Sequence, residues 1–143
     1  MASLTLSDEA RQYLVLFEDE TGATARDCVV DDEEDRVIIL VAAGDMAQAI
    51  GPGGQNVQAV EAQIGKSIKL VEDAPTPEGF VANTLAPAAV YNVTISETDE
   101  GVVAYAEVAD EDRGVAIGAE GRNIEEARLL ASRHFDVEDI QLT

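Results

Sequence analysis

Two short glycine turns are the residues best suited to do chemistry. Ala49-Ile50-Gly51-Pro52-Gly53-Gly54-Gln55-Asn56-Val57 recurs 67 positions later as Ala116-Ile117-Gly118-Ala119-Glu120-Gly121-Arg122-Asn123-Ile124. Both have the form Ala-Ile-Gly-x-x-Gly-x-Asn followed by Val or Ile. Glycine lets the chain turn sharply and lets a second backbone come close. A helix leaving such a turn offers free N–H groups and the positive end of its dipole, a combination that favours phosphate. The chemistry expected here is the holding of a sugar-phosphate backbone against protein main chain. A single Gly-x-x-Gly is more often a ligand-free bend between helices, but two copies in matching surroundings carry more weight. Neither turn is followed by Gly-Lys-Ser/Thr, which argues against a Walker loop. Neither follows a strand directly, which argues against a dinucleotide fingerprint.

Cationic residues are scarce enough for their places to matter. Four of the seven arginines (Arg113, Arg122, Arg128 and Arg133) fall in the helical part of the second copy. Arg122 directly follows the second turn and could reach a phosphate. Pairing within the helix, such as Arg128 with Glu125 or Glu126, is the competing use. Lys66 and Lys69, the only lysines, lie near the last strand of the first copy with no readable role.

Catalysis finds little support. The one histidine, His134, sits between Arg133 and Phe135 and reads as a helix-end or surface residue. The one cysteine, Cys28, reads as a small buried hydrophobe in a strand and excludes an internal disulfide. No His/Cys cluster has metal-ligand spacing. The acidic run Asp31–Glu34 reads as a solvated turn. Neither a cofactor nor a metal is expected.

The elements that must position the turns repeat as well. In the first copy, Thr5 and Asp8 resemble a capping box, and Leu6, Ala10, Tyr13, Leu14 and Phe17 form one helical stripe ending at Gly22. Strands are expected over 27–30 and 37–42, a short helix near 45–50, a longer one near 55–64 and a last strand over 67–71. In the second copy Thr76 caps, Pro77 opens the helix, and Phe80, Val81 and Leu85 are its apolar residues before Pro87 stops it. Strands over 90–95 and 102–108, helices near 111–117 and 123–133, and a strand over 137–142 complete it. Ile50, Ile117, Val57 and Ile124 are expected in the core first, and at most on the floor of a groove. The fold class is α+β, in the order α-β-β-α-α-β twice, with units 1–73 and 74–143 joined at Glu72-Asp73-Ala74-Pro75.

The bulk composition sets the setting. The 143 residues suffice for one ordinary domain or two modules of about 70. At 46% hydrophobic the chain can fold. No apolar run approaches the ~18 residues of a membrane span, and the N-terminus lacks the basic and apolar regions of a signal peptide, so a cytoplasmic protein is expected. The 29 acidic residues against 9 Lys and Arg give a net charge of −20, spread along the whole chain. At low ionic strength such a surface repels itself. At molar salt the Debye length shrinks to roughly 3 Å and the repulsion is screened. The composition reads as adaptation to a salty cytoplasm, as in halophilic archaea, with an acidic surface for a basic partner as the rival.

The two glycine turns within α-β-β-α-α-β units resemble KH domains of the type II form. Two such modules with little else are similar to the archaeal NusA-like transcription termination factors. That resemblance implies binding of single-stranded RNA, each Gly-x-x-Gly clamping the backbone of about four nucleotides beside an apolar groove. It places the clamps at Gly51, Pro52, Gly53, Gly54, Gln55 and Asn56, and at Gly118, Ala119, Glu120, Gly121, Arg122 and Asn123. It also implies work on nascent transcript near RNA polymerase, as a monomer, without catalysis and away from membranes. The middle residues of such loops are often basic, whereas here they are Pro52-Gly53 and Ala119-Glu120. Glu120 would stand near a phosphate, so modest affinity is expected. The alternative is a KH-fold protein-interaction module of the transcription or ribosome machinery with weak or no RNA binding.

Overall fold

The computed structural model describes residues 6–33 and 35–143; Thr5, and Glu34 of the acidic turn, lie outside them. The chain divides into two compact units, Met1–Asp73 and Ala74–Thr143.

In the first unit α1 (Asp8–Thr21) is followed by the antiparallel pair β1 (Ala25–Asp31) and β2 (Arg36–Val41). Then come α2 (Met46–Ile50), a single tight turn at Pro52–Gly54, α3 (Gln55–Ile64) and β3 (Ser67–Glu72), which pairs parallel to β2. The second unit repeats this with α4 (Pro77–Thr84), β4 (Val90–Thr98), β5 (Gly101–Val108), α5 (Arg113–Ile117), α6 (Arg122–Phe135) and β6 (Val137–Leu142). Each sheet has three strands with the second in the middle. Only a long connection can return the chain parallel to itself, and in both units that connection is the helix pair carrying the glycine turn.

Local chemistry sets the helix ends. Ser7 caps α1, its hydroxyl accepting from the Ala10 N–H at 3.1 Å. Gly22 closes α1 in the left-handed conformation at φ 75°, its N–H bonded to the Glu18 carbonyl. Thr76 caps α4 by accepting from the Gly79 N–H at 3.1 Å, with Pro77 in the first turn.

The two cores are filled differently. In the first, Phe17 of α1 and Val60 of α3 meet Val37, Ile39 and Val41 of β2. In the second, the central strand presents Ala104, Ala106 and Val108, and more of the bulk comes from Val81 and Leu85 of α4, Ile124 of α6 and Ile140 of β6. Interiors are close-packed, so a small strand must meet larger helix residues. Cys28 is buried in β1. His134 lies in the last turn of α6 with its ring 5.5 Å from that of Phe80.

Candidate functional site

Each glycine turn sits between two helices, and the backbone of one reproduces that of the other. Gly51 and Gly118 stop α2 and α5 at φ/ψ of 75°/172° and 79°/171°. Gly53 and Glu120 take left-handed values of 62°/19° and 56°/26°. Gly54 and Gly121 do the same at 83°/11° and 78°/10°, just before α3 and α6. Gly54 and Gly121 each donate to the carbonyl of the first glycine of the turn at 3.1 Å.

The asparagine of the motif makes the turn rigid. The Asn56 side chain donates to the Gln48 carbonyl at 2.8 Å, and that of Asn123 to the Ala116 carbonyl at 3.0 Å. Each ties the helix after the turn to the last carbonyls of the helix before it, where C=O groups lack partners within the helix. The first glycine makes room for this side chain. A Cβ on Gly51 would lie 2.5 Å from the Asn56 side chain, and one on Gly118 would lie 2.8 Å from the backbone nitrogen of Asn123. Glycine at these two positions is a steric requirement.

Side chains cap only the first helix of each unit; the helices on both sides of each glycine turn lack such a cap. Ser7 and Thr76 cap α1 and α4, whereas no side chain caps α3 or α6. The helices that leave the glycine turns thus begin with no side-chain acceptor, under a positive dipole end. Around Gly53 and Gly121 a Cβ would meet nothing within 4 Å, so the turn is open on that side.

Two aspartates that sequence reasoning missed hold the helix pairs in place. Asp45, just before α2, accepts from the Thr24 N–H at 2.9 Å, and Asp112, just before α5, accepts from the Ala89 N–H at 2.8 Å. Each fastens the base of the helix–turn–helix arm to the start of the first strand of its unit. The repeat itself is the signal that could have found them, because both copies carry Asp six residues before the first glycine.

The other expected residues sort as follows. Ala49 and Ala116 are the core residues before the turns, while Ile50 and Ile117 are each 39% exposed, against the expectation of core positions. Helices of five residues are too short for periodicity to assign a buried face. Val115 is also exposed, so apolar surface flanks the second turn. Ile124 is buried and Val57 half-buried. Arg128 is committed to the fold: it pairs with Glu125 and with Asp139 at 2.9 Å, and donates to the Ile140 carbonyl. Arg113 donates to the Thr143 carbonyl at 3.1 Å. Arg122 is half-buried and its Nε is shielded from solvent. Lys66 pairs with Asp32 at 3.7 Å and lies over the Tyr13 ring. Among the described residues no three His, Cys, Asp or Glu side chains are placed to hold a metal ion, and no helix is long and apolar enough to cross a membrane.

Known proteins share this arrangement. Residues 77–143 match the family described as the NusA-like second KH domain, and residues 11–77 match the KH domain family. A Halobacterium salinarum protein named "Probable transcription termination protein NusA" is 65% identical over 141 residues, covering 99% of each chain. A protein of the same name from Halococcus morrhuae is 58% identical, covering 97% of this chain and 98% of its own. Another from Methanocaldococcus jannaschii is 31% identical, covering 99% of this chain and 76% of its own. The crystal structure of APE1850 superposes with a TM-score of 0.84 at 33% identity, covering 96% of this chain and all of that one.

Proposed function

The chain belongs to the NusA-like family of KH-domain proteins, and from that membership we propose that it binds single-stranded nascent RNA and acts in transcription termination or antitermination. The observation that carries this reading is the pair of bare helix N-termini behind two open glycine turns with one shared backbone. The RNA backbone runs across Gly51, Pro52, Gly53, Gly54, Gln55 and Asn56 in a first module of residues 1–73. It runs across Gly118, Ala119, Glu120, Gly121, Arg122 and Asn123 in a second of residues 74–143. Bases rest on the exposed apolar surface beside the turns, at Ile50, Val115 and Ile117. Two linked clamps raise the effective concentration of each for the same strand, with no new contact required. The protein works in the cytoplasm as a monomer beside RNA polymerase, binding rather than catalysing.

The net charge of −20 shapes how it binds. At molar salt, release of counterions from the RNA adds little to affinity. Main-chain contacts and apolar burial then carry the binding, and the affinity is modest.

The test is fluorescence anisotropy of short labelled single-stranded RNAs in KCl from about 0.2 to 3 M, across which the Debye length falls from roughly 7 Å to under 3 Å. Circular dichroism follows folding in the same buffers. Binding is expected to persist at high salt with a shallow salt slope. At the lowest salt that keeps it folded, the double variant Gly53→Asp, Gly121→Asp is expected to lose RNA binding by at least about tenfold, because it puts two carboxylates where phosphates sit and little salt is present to screen them. Unchanged affinity in that variant would remove the clamp assignment.

The acidic surface and Glu120 favour one second reading, a protein-interaction module that keeps the fold without the RNA. Absence of RNA binding at every salt concentration where the protein is folded, with retention on immobilised RNA polymerase, would select it.

A further inference from the structure

We propose that Glu120 makes the second turn a salt-gated clamp, one that accepts an RNA phosphate only when the ionic strength screens its carboxylate. This rests on the reading of both turns as phosphate clamps and adds a difference between them that the shared fold does not imply.

The matching backbones isolate that difference. All three left-handed or glycine corners of the turns agree within 10° in φ and ψ, so main chain that accepts a phosphate at one turn accepts it at the other. What differs is the residue at the open corner. At Gly53 there is no side chain, and the sequence from Met46 to Val60 carries no charge at all. At the corresponding corner stands Glu120, exposed, with no hydrogen bond or ion pair among the described residues. Nothing in the fold neutralises it. Arg122, the nearest cation in sequence, is half-buried, has its Nε shielded from solvent and is engaged within the protein. The left-handed conformation is one that glycine adopts freely and glutamate does not. The second turn therefore keeps its carboxylate at a conformational cost that the first avoids.

The physical consequence is a reversed salt response. Like charges about 4 Å apart repel, in bulk water, by enough to weaken binding about fivefold, and by more where solvent is partly excluded. That repulsion is felt when the Debye length is about 10 Å and is suppressed when it is about 3 Å. An ordinary protein–RNA contact weakens as salt rises. A contact opposed by Glu120 strengthens. The first clamp holds RNA across the range, and the second joins it only in a concentrated salt solution.

The experiment measures anisotropy of a fluorescein-labelled single-stranded RNA of about 12 nucleotides, long enough for two four-nucleotide clamps. It uses full-length protein, at the lowest KCl concentration that keeps the circular dichroism spectrum folded and again at about 3 M KCl, where screening is near complete. Glu120→Gln keeps the backbone and the side-chain length but removes the charge, and Glu120→Gly also removes the strain. Both are expected to tighten binding about fivefold at the low salt and less than twofold at the high salt. The reciprocal Gly53→Glu is expected to weaken binding at low salt and to recover at high salt. If Glu120→Gln and Glu120→Gly match the unaltered protein at both salts, or gain equally at both, the gate is overturned while the first clamp stands. If the unaltered protein binds no RNA at any salt where it is folded, the clamp reading itself falls, and the gate with it.

Discussion

Gly53 and Glu120 occupy the same left-handed corner of two turns whose backbones agree within 10°, yet one offers open main chain and the other a carboxylate. The frame around them is the same in both modules. The asparagine side chain ties the flanking helices together, an aspartate fastens the arm to the first strand, and the helix behind the turn is left without a cap. The bonds that shape the turn recur in both copies, and the residue at its open corner does not. The contrast separates what the fold demands from what it leaves free.

Substitutions in the shared frame sharpen that comparison by showing where the two copies differ in rigidity. The largest effects are expected at the first glycine. A Cβ on Gly118 meets the backbone nitrogen of Asn123, which cannot move alone, whereas a Cβ on Gly51 meets only the side chain of Asn56, whose amide can rotate away although its Cβ, at 2.9 Å, stays in the way. Gly118→Ala is expected to destabilise by about 3 kcal/mol and Gly51→Ala by about 2 kcal/mol. Urea unfolding in molar KCl followed by circular dichroism checks this, and a reversed order would show the second turn to be the more pliable.

Next in size come the asparagines. Asn123 is buried, and Asn123→Ala leaves the Ala116 carbonyl without that donor, a loss of about 2 kcal/mol. Asn56 lies in a more solvated setting where water can replace it, and Asn56→Ala is expected to cost about 1 kcal/mol. Equal losses in the same unfolding assay would mean that water reaches both turns alike.

The smallest effects belong to the aspartate fasteners. Asp45→Ala and Asp112→Ala each remove one exposed bond to a backbone N–H, for about 1 kcal/mol apiece. Amide hydrogen exchange at Thr24 and Ala89 should rise in the respective variants, and unchanged exchange would show that the arms are held by packing alone.

Much of this frame was legible in the sequence because the chain states it twice. The 67-residue repeat placed both turns, and the element order followed from the flanking apolar patterns. What stayed hidden was long-range or too short to leave a period. The Asp45 and Asp112 bonds span 21 and 23 residues and involve only a backbone partner, which leaves no mark on residue type. Arg128 reads as an intrahelical partner of Glu125, and it is one, but its bonds to Asp139 and Ile140 depend on β6 returning beside α6. Ile50 and Ile117 look like core residues by composition, and only the orientation of a five-residue helix turns them outward.

The two differently filled cores have a consequence for how the chain is made. Every strand of the first sheet lies between Ala25 and Glu72 and every strand of the second between Val90 and Leu142, so the first sheet can close on the ribosome before the second has been synthesised. Tandem repeats nevertheless risk exchanging strands while both are unfolded. Here β2 has Val37 and Ile39 where β5 has Ala104 and Ala106, while Val41 is matched by Val108, so β2 would overfill the place of β5 at two positions and β5 would leave voids in the place of β2. Core size thus serves as an address label that sends each strand back to its own repeat.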